Sequence, residues 1–173
     1  LPEDRAIERL RKDNVNFTVW EKMGLITLTE GNVQDYDYIK AKILEYNELY
    51  DIQSIAFDRW NSSHLVNQLT EEANIFMSPF GQGWASMSTP TKELERLVMQ
   101  KKIIHNNNPL LRWQVSCASV KRDPADNIKI VKDKSSDKVD GVVALVMSIG
   151  DFLSDDGDSN NTSVYNEKDL LIL

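Results

Sequence analysis

The chain has 173 residues, enough for one domain with a substantial core and too few for two large ones. Its 41% hydrophobic and 27% charged content is ordinary for a soluble globular protein. No apolar run approaches the ~20 residues of a membrane helix, and the lone Cys117 excludes an internal disulfide and a Cys-rich zinc cluster. One thiol fits a reducing cytosol. The opening Leu1-Pro2-Glu3-Asp4-Arg5 is neither an initiator Met nor a signal peptide, so the sequence reads as a fragment or processed product.

The net charge of −7 argues against nucleic acid until its distribution is considered. Asp151 to Leu173 holds six acids and one lysine, a balance of −5, which leaves −2 for the rest. Lys92 to Lys138 holds eleven Lys/Arg against six acids, a balance of +5. Such a locally basic segment could face phosphates, although charge alone favours an ordinary solvated surface.

In chain order, Ile7 and Leu10 among charges predict a short helix over Arg5 to Asn14. Leu25 to Thr29 is a β-rich run closed by the Glu30-Gly31-Asn32 turn. Tyr36, Ile39, Ile43, Tyr46 and Tyr50 mark one face of an amphipathic helix. Ile52 to Phe57 predicts a strand ending at Asp58, and Asn61-Ser62-Ser63 caps a helix with Leu65, Val66 and Leu69 on its apolar face. Ile75 to Met77 predicts another strand and Gly81-Gln82-Gly83 a turn. Ser88-Thr89-Pro90 then starts a helix, with Pro where a missing N–H is tolerated.

Leu111, Trp113, Val115 and Cys117 alternate with polar residues, the pattern of a half-buried strand. Asp123 to Asn127 forms a turn, and Ile128 to Val131 returns as the second strand of a hairpin. Val139, Val142, Val143, Val146 and Ile149 form the apolar face of a last helix capped near Ser135 or Ser136. Beyond Leu153 the sequence is acidic and polar, with the composition of a flexible tail whose apolar end, Leu170 to Leu173, can dock. Alternating strands and helices predict an α/β domain with the hairpin as an addition.

Two acids stand out. Asp58 follows an apolar strand, and in α/β sheets the carboxyl ends of strands open onto the ligand crevice. Asp140 lies in the first turns of the last helix, and Asp137 shares its face three residues earlier. Carboxylate oxygens suit magnesium and manganese. Two such ions roughly 4 Å apart promote phosphodiester hydrolysis, but that chemistry needs three or four converging acids. By spacing alone the stronger reading is structural, with Asp58 as a strand-end turn residue and Asp137 as a complement to the helix dipole. His64 and His105 lack a paired ligand motif, Cys117 reads as core, and Trp20, Trp60, Trp84 and Trp113 read as packing residues. No phosphate-binding P-loop motif is present.

Several segments, in order, resemble the phage large terminase family. They are Leu1-Pro2-Glu3-Asp4, Gly24 to Asn32, Phe57-Asp58-Arg59-Trp60, Gly81-Gln82-Gly83 with the following Ser-Met-Ser-Thr-Pro-Thr-Lys run, His105 to Pro109 leading into Leu111-Arg112-Trp113, and Lys138 to Leu145. Together they span nearly all of the chain up to Phe152. The resemblance implies an RNase H-like α/β nuclease domain, a mixed sheet flanked by helices with an added β-hairpin. It would occupy 1–153, followed by the acidic tail 154–173. It implies that Asp58 and Asp140 are catalytic and hold Mg²⁺ or Mn²⁺ in a two-ion site, with Asp137 as a further metal-adjacent residue. Lys121, Arg122, Lys129, Lys132 and Lys134, on and after the hairpin, would meet DNA phosphates.

The family's first catalytic acid lies on a strand upstream of the segment resembling Leu1-Pro2-Glu3, so the first strand is expected to be missing here. The implied role is cutting double-stranded concatemeric DNA during packaging in the host cytoplasm, by a phage or prophage protein. The implied partners are DNA, the small terminase subunit, the portal and an ATPase domain of the same parent chain, with no membrane. Two other readings stay open: a non-catalytic docking fragment for the portal or small subunit, and another RNase H-like nuclease of resolvase or transposase type.

Overall fold

In the computed structural model, residues 1–13, 15–59, 63–132, 138–155 and 171–172 are described. They fall into two units, Leu1–Ile52 and Gln53–Leu173.

The first unit holds three helices, α1 (Glu3–Asp13), α2 (Phe17–Lys22) and α3 (Tyr36–Leu49). Acids open α1 and Arg11 and Lys12 close it, matching the helix dipole at both ends. Phe17 is buried and meets Trp20 edge-on at 5.4 Å. Asp35 caps α3 by accepting from the Tyr38 N–H at 2.8 Å. The helix expected from the apolar stripe is there, but none of its residues is buried, Tyr36 and Tyr46 are exposed, and Tyr50 lies past its end. Leu25 to Thr29 forms no strand: only Thr29 bridges Pro2, in parallel. Around that bridge the Leu1 amine donates to the Thr27 carbonyl at 2.9 Å, the Thr29 N–H to the Leu1 carbonyl at 3.0 Å and the Glu3 N–H to the Thr29 carbonyl at 2.8 Å, while the Leu25 N–H turns back to the Trp20 carbonyl.

In the second unit, β1 (Ile55–Phe57) and β2 (Met77–Pro79) pair in parallel, Ile55 opposite Met77 and Phe57 opposite Pro79. Parallel neighbours need a crossover, here through α4 (Ser63–Ala73), whose Leu69 is wholly buried. Both strands are shorter than or shifted from the predicted runs. Ile75 is buried and donates its N–H to the Leu69 carbonyl, so it closes α4 and β2 starts two residues later.

Helix α5 (Trp84–Met99) follows a cap at Gly83 and starts four residues before Ser88. Pro90 therefore lies inside the helix and not at its first position. A proline there removes one helical hydrogen bond. Next to it, the Thr91 hydroxyl donates to the Met87 carbonyl at 2.6 Å. Ser88, Pro90 and Thr91 are all buried, so packing outweighs the proline's local cost.

The largest departure is α6 (Pro109–Ser116), where alternation predicted a strand from Leu111. Asn108 decides it: its side chain accepts from the Leu110 and Leu111 N–H groups, and Pro109 fills the first helical position. Leu110, Trp113, Gln114 and Cys117 then share the shielded side while Arg112, Val115 and Ser116 face solvent, a helical rather than a two-residue period. The hairpin accordingly begins at Ala118: β4 (Ala118–Arg122) and β5 (Ile128–Lys132) pair antiparallel around the predicted turn. Cys117 is buried, as expected.

Helix α7 (Asp140–Asp155) packs on α5, α6 and β1. The core joins Met87 of α5 to Val146 and Met147 of α7, with Ala56, Phe80, Leu94, Ile130 and Val143 around them. Gly150 lets α7 come close: a Cβ there would lie 2.5 Å from the Phe80 ring and 3.1 Å from Pro90. The backbone of β6 (Leu171–Ile172) pairs in parallel with β3 (Ile103–Ile104), which gives the expected apolar terminus a docking place. Asn61, Ser62, Ser135 and Ser136, expected as caps, lie outside the described residues, as does most of the predicted tail.

Candidate active site

Asp58 is the first residue after β1 and is half-buried. Asp140 opens α7 and is exposed. The strand and helix that carry them are tied directly: the Ser54 hydroxyl, just before β1, donates to Asp151 Oδ2 near the end of α7 at 2.5 Å. From that tie Asp58 lies about 13 Å along the strand direction and Asp140 about 16 Å back along the helix. Asp137 and Lys134 lie outside the described residues.

Two carboxylates suit a hard divalent cation by donor chemistry. Among the described residues, however, no group of three or more acids, histidines or cysteines is placed to hold a metal ion. His64 on α4 is exposed, and the half-buried His105 has its Nδ1 shielded without a hydrogen-bond partner. A cleft is lined by Arg59, Phe80, Gly81, Thr89, Gly150 and Ser154, and neither Asp58 nor Asp140 is among its lining residues.

The start of α7 is held from a distance. The Gly141 N–H donates to Gln114 Oε1 on α6 at 2.6 Å, one residue from Asp140. Helix amides of the first turn have no partner within the helix, and Gln114 supplies one. Nothing in the sequence pattern singles Gln114 out. The only available signal was Gly141 itself, a glycine just inside a helix start.

On the hairpin, Lys121 and Lys129 are cross-strand partners and so share a face. Arg122 and Lys132 fall on the opposite face by alternation. Lys121, Arg122 and Lys132 are exposed, while Lys129 is half-buried with its Nζ 4.8 Å from the centre of the Trp84 ring. That cation–π contact joins the hairpin to the start of α5. Arg122 pairs with Asp126 across the turn. Asp123 Oδ1 accepts from the Ala125 and Asn127 N–H groups at 2.9 and 2.8 Å. The Asn127 side chain, together with these amides, holds the Asp123 carboxyl below the ordinary carboxylate range. Asp126 has a left-handed φ of 65°, which aspartate tolerates in turns.

The family model described as "Terminase large subunit, endonuclease domain" matches residues 2–156. The large terminase subunit of Enterobacteria phage HK97 is 32% identical over 154 residues, covering 86% of this chain and 30% of its own length. Protein YmfN of Escherichia coli strain K12 is 30% identical over 142 residues, covering 81% of this chain and 31% of its own. The crystal structure of the HK97 large terminase superposes with a TM-score of 0.78 at 32% identity, over 87% of this chain and 32% of that one. The chain thus spans about a third of the length of these relatives. Its mixed α/β fold matches that nuclease fold, which is RNase H-like. The chain belongs to the terminase large subunit endonuclease domain family.

Proposed function

We propose that this chain is the part of a phage or prophage large terminase that cuts double-stranded, concatemeric DNA during packaging, in the host cytoplasm. The observation that carries the reading is the direct tie between β1 and α7, the two elements that present Asp58 and Asp140. Asp58 and Asp140 would hold Mg²⁺ or Mn²⁺ ions, with Asp137 or an acid upstream of this chain completing a two-ion set. When bound, such ions supply the Lewis acidity that makes water nucleophilic and offsets charge on the phosphodiester.

The protein's own part is positioning. Asp58 is held by the strand end and Asp140 by the capped start of α7. Lys121, Arg122, Lys129, Lys132 and Lys134 would grip backbone phosphates, which orient DNA without reading bases. The packaging ATPase region of the same parent, the small subunit and the portal are the partners this role requires.

The test uses the longer protein that carries this chain, with linear, plasmid and branched DNA. Cleavage of linear and plasmid DNA is expected with Mn²⁺ or Mg²⁺, with none in chelator. A strong preference for branched substrate points instead to a resolvase, and metal-free binding to purified portal without cleavage points to a docking fragment.

A further inference from the structure

We infer that Gln114 is a positioning residue for Asp140, acting through the backbone at the start of α7. The inference rests on Asp140 being catalytic, as proposed above. Two separate features of the structure meet at Gly141. Its N–H donates to Gln114 Oε1 at 2.6 Å, across 27 positions of sequence. A Cβ at the same residue would lie 2.7 Å from that oxygen and 3.3 Å from Cδ of the same amide. The lack of a side chain at 141 is thus what admits the Gln114 amide to the helix end.

The consequence falls on the adjacent residue. Asp140 is exposed, so packing does little to hold its side chain. The carboxylate's place depends on its backbone, and that backbone is the fraying end of a helix. Gln114 holds this end from α6, which itself packs against α7. Gln114 is anchored in turn, because Asn108 caps α6 and the buried Cys117 closes it. Outer groups that orient a metal-binding side chain typically change metal affinity by about 10–100-fold when removed.

Three variants test this. Gln114→Ala removes the acceptor. Gly141→Ala displaces it sterically and leaves Gln114 in place. Gln114→Glu keeps an acceptor of the same reach. Hydrogen exchange in this chain, without metal, reads the bond itself. The Gly141 amide is expected to exchange roughly tenfold faster in Gln114→Ala and to regain protection in Gln114→Glu. In the longer protein, the Mn²⁺ concentration for half-maximal cleavage is expected to rise about 10–100-fold in Gln114→Ala and Gly141→Ala. It should return toward the parent value in Gln114→Glu.

A lower melting temperature with an unchanged Mn²⁺ midpoint makes Gln114 a structural cap only and overturns the inference. Unchanged exchange at Gly141 overturns it as well. Asp140→Asn separates the two levels. If that variant is inactive while the Gln114→Ala midpoint is unmoved, only the positioning role fails. If it still cuts, the site assignment beneath it fails too.

Discussion

Asp58→Asn and Asp140→Asn, each alone in the longer protein, are expected to lower DNA cleavage by on the order of 10²–10⁴-fold, the range for losing one positioned catalytic group. The replacement keeps size and hydrogen-bonding shape and removes only the charge a divalent cation needs. Neither side chain is part of the core: Asp58 is half-buried at a strand end and Asp140 is exposed. Both variants should therefore keep the parent's circular dichroism and melt near the same temperature, as surface substitutions usually do. DNA binding measured without metal should persist, because the proposed phosphate contacts lie on the hairpin and not on these acids. Substantial cleavage by either variant removes that residue from the site. A variant that neither cuts nor folds says only that the position is structural, so the melting curve is recorded on the same samples.

The second large effect concerns stability. Met87→Ala is expected to cost about 2–5 kcal/mol, the range for emptying a buried methionine site. Met87 is 2% exposed and joins three elements, with Val146 and Met147 of α7 on one side and Ile130 of β5 nearby. Helix α5 already lacks one helical hydrogen bond at Pro90 and is kept continuous by its packing. Its neighbours are not free to collapse into the space, because Pro90 and the Phe80 ring are wedged against Gly150. At about 2–4 °C per kcal/mol for a protein of this size, the melting temperature should fall by roughly 4–20 °C. Met99→Ala, on the same helix with Met99 78% exposed, is the control and should fall within about 0.5 kcal/mol of the parent. Equal melting temperatures for the two variants would mean that the α5–α7 core is not assembled as described.

Much of this architecture was legible because local chemistry and packing agree. The apolar stripe from Tyr36, the valine-rich run after Asp140 and the Asp123–Asn127 turn each became the expected element. The failures occurred where two signals competed. Leu111 to Cys117 satisfies a two-residue period over seven positions, yet Asn108 and Pro109 start a helix, and the cap wins because it satisfies real amide donors. Pro90 resembled a helix start, but tertiary burial of Ser88, Pro90 and Thr91 carries the helix through it. Leu25 to Thr29 has strand chemistry and finds only one bridging partner.

The site shows the same division. The positions of Asp58 and Asp140 at element ends were legible, and their role there is the proposal made above. Gln114 was not, because its role depends on a contact across 27 positions that no local pattern encodes. The alternation that misread α6 also hid it, by assigning Gln114 to the outer face of a strand. Asp137 and Lys134, read from the same resemblance, lie outside the described residues.

The most direct test of the central claim is plasmid cleavage in Mn²⁺ by this chain and by a form extended upstream. The account predicts linear and nicked products from the extended form, formed only with the metal present. Cleavage by both keeps the nuclease assignment and places the completing acid within this chain, with Asp137 as the candidate. Intact plasmid from both contradicts the assignment of Asp58 and Asp140 to a nuclease centre.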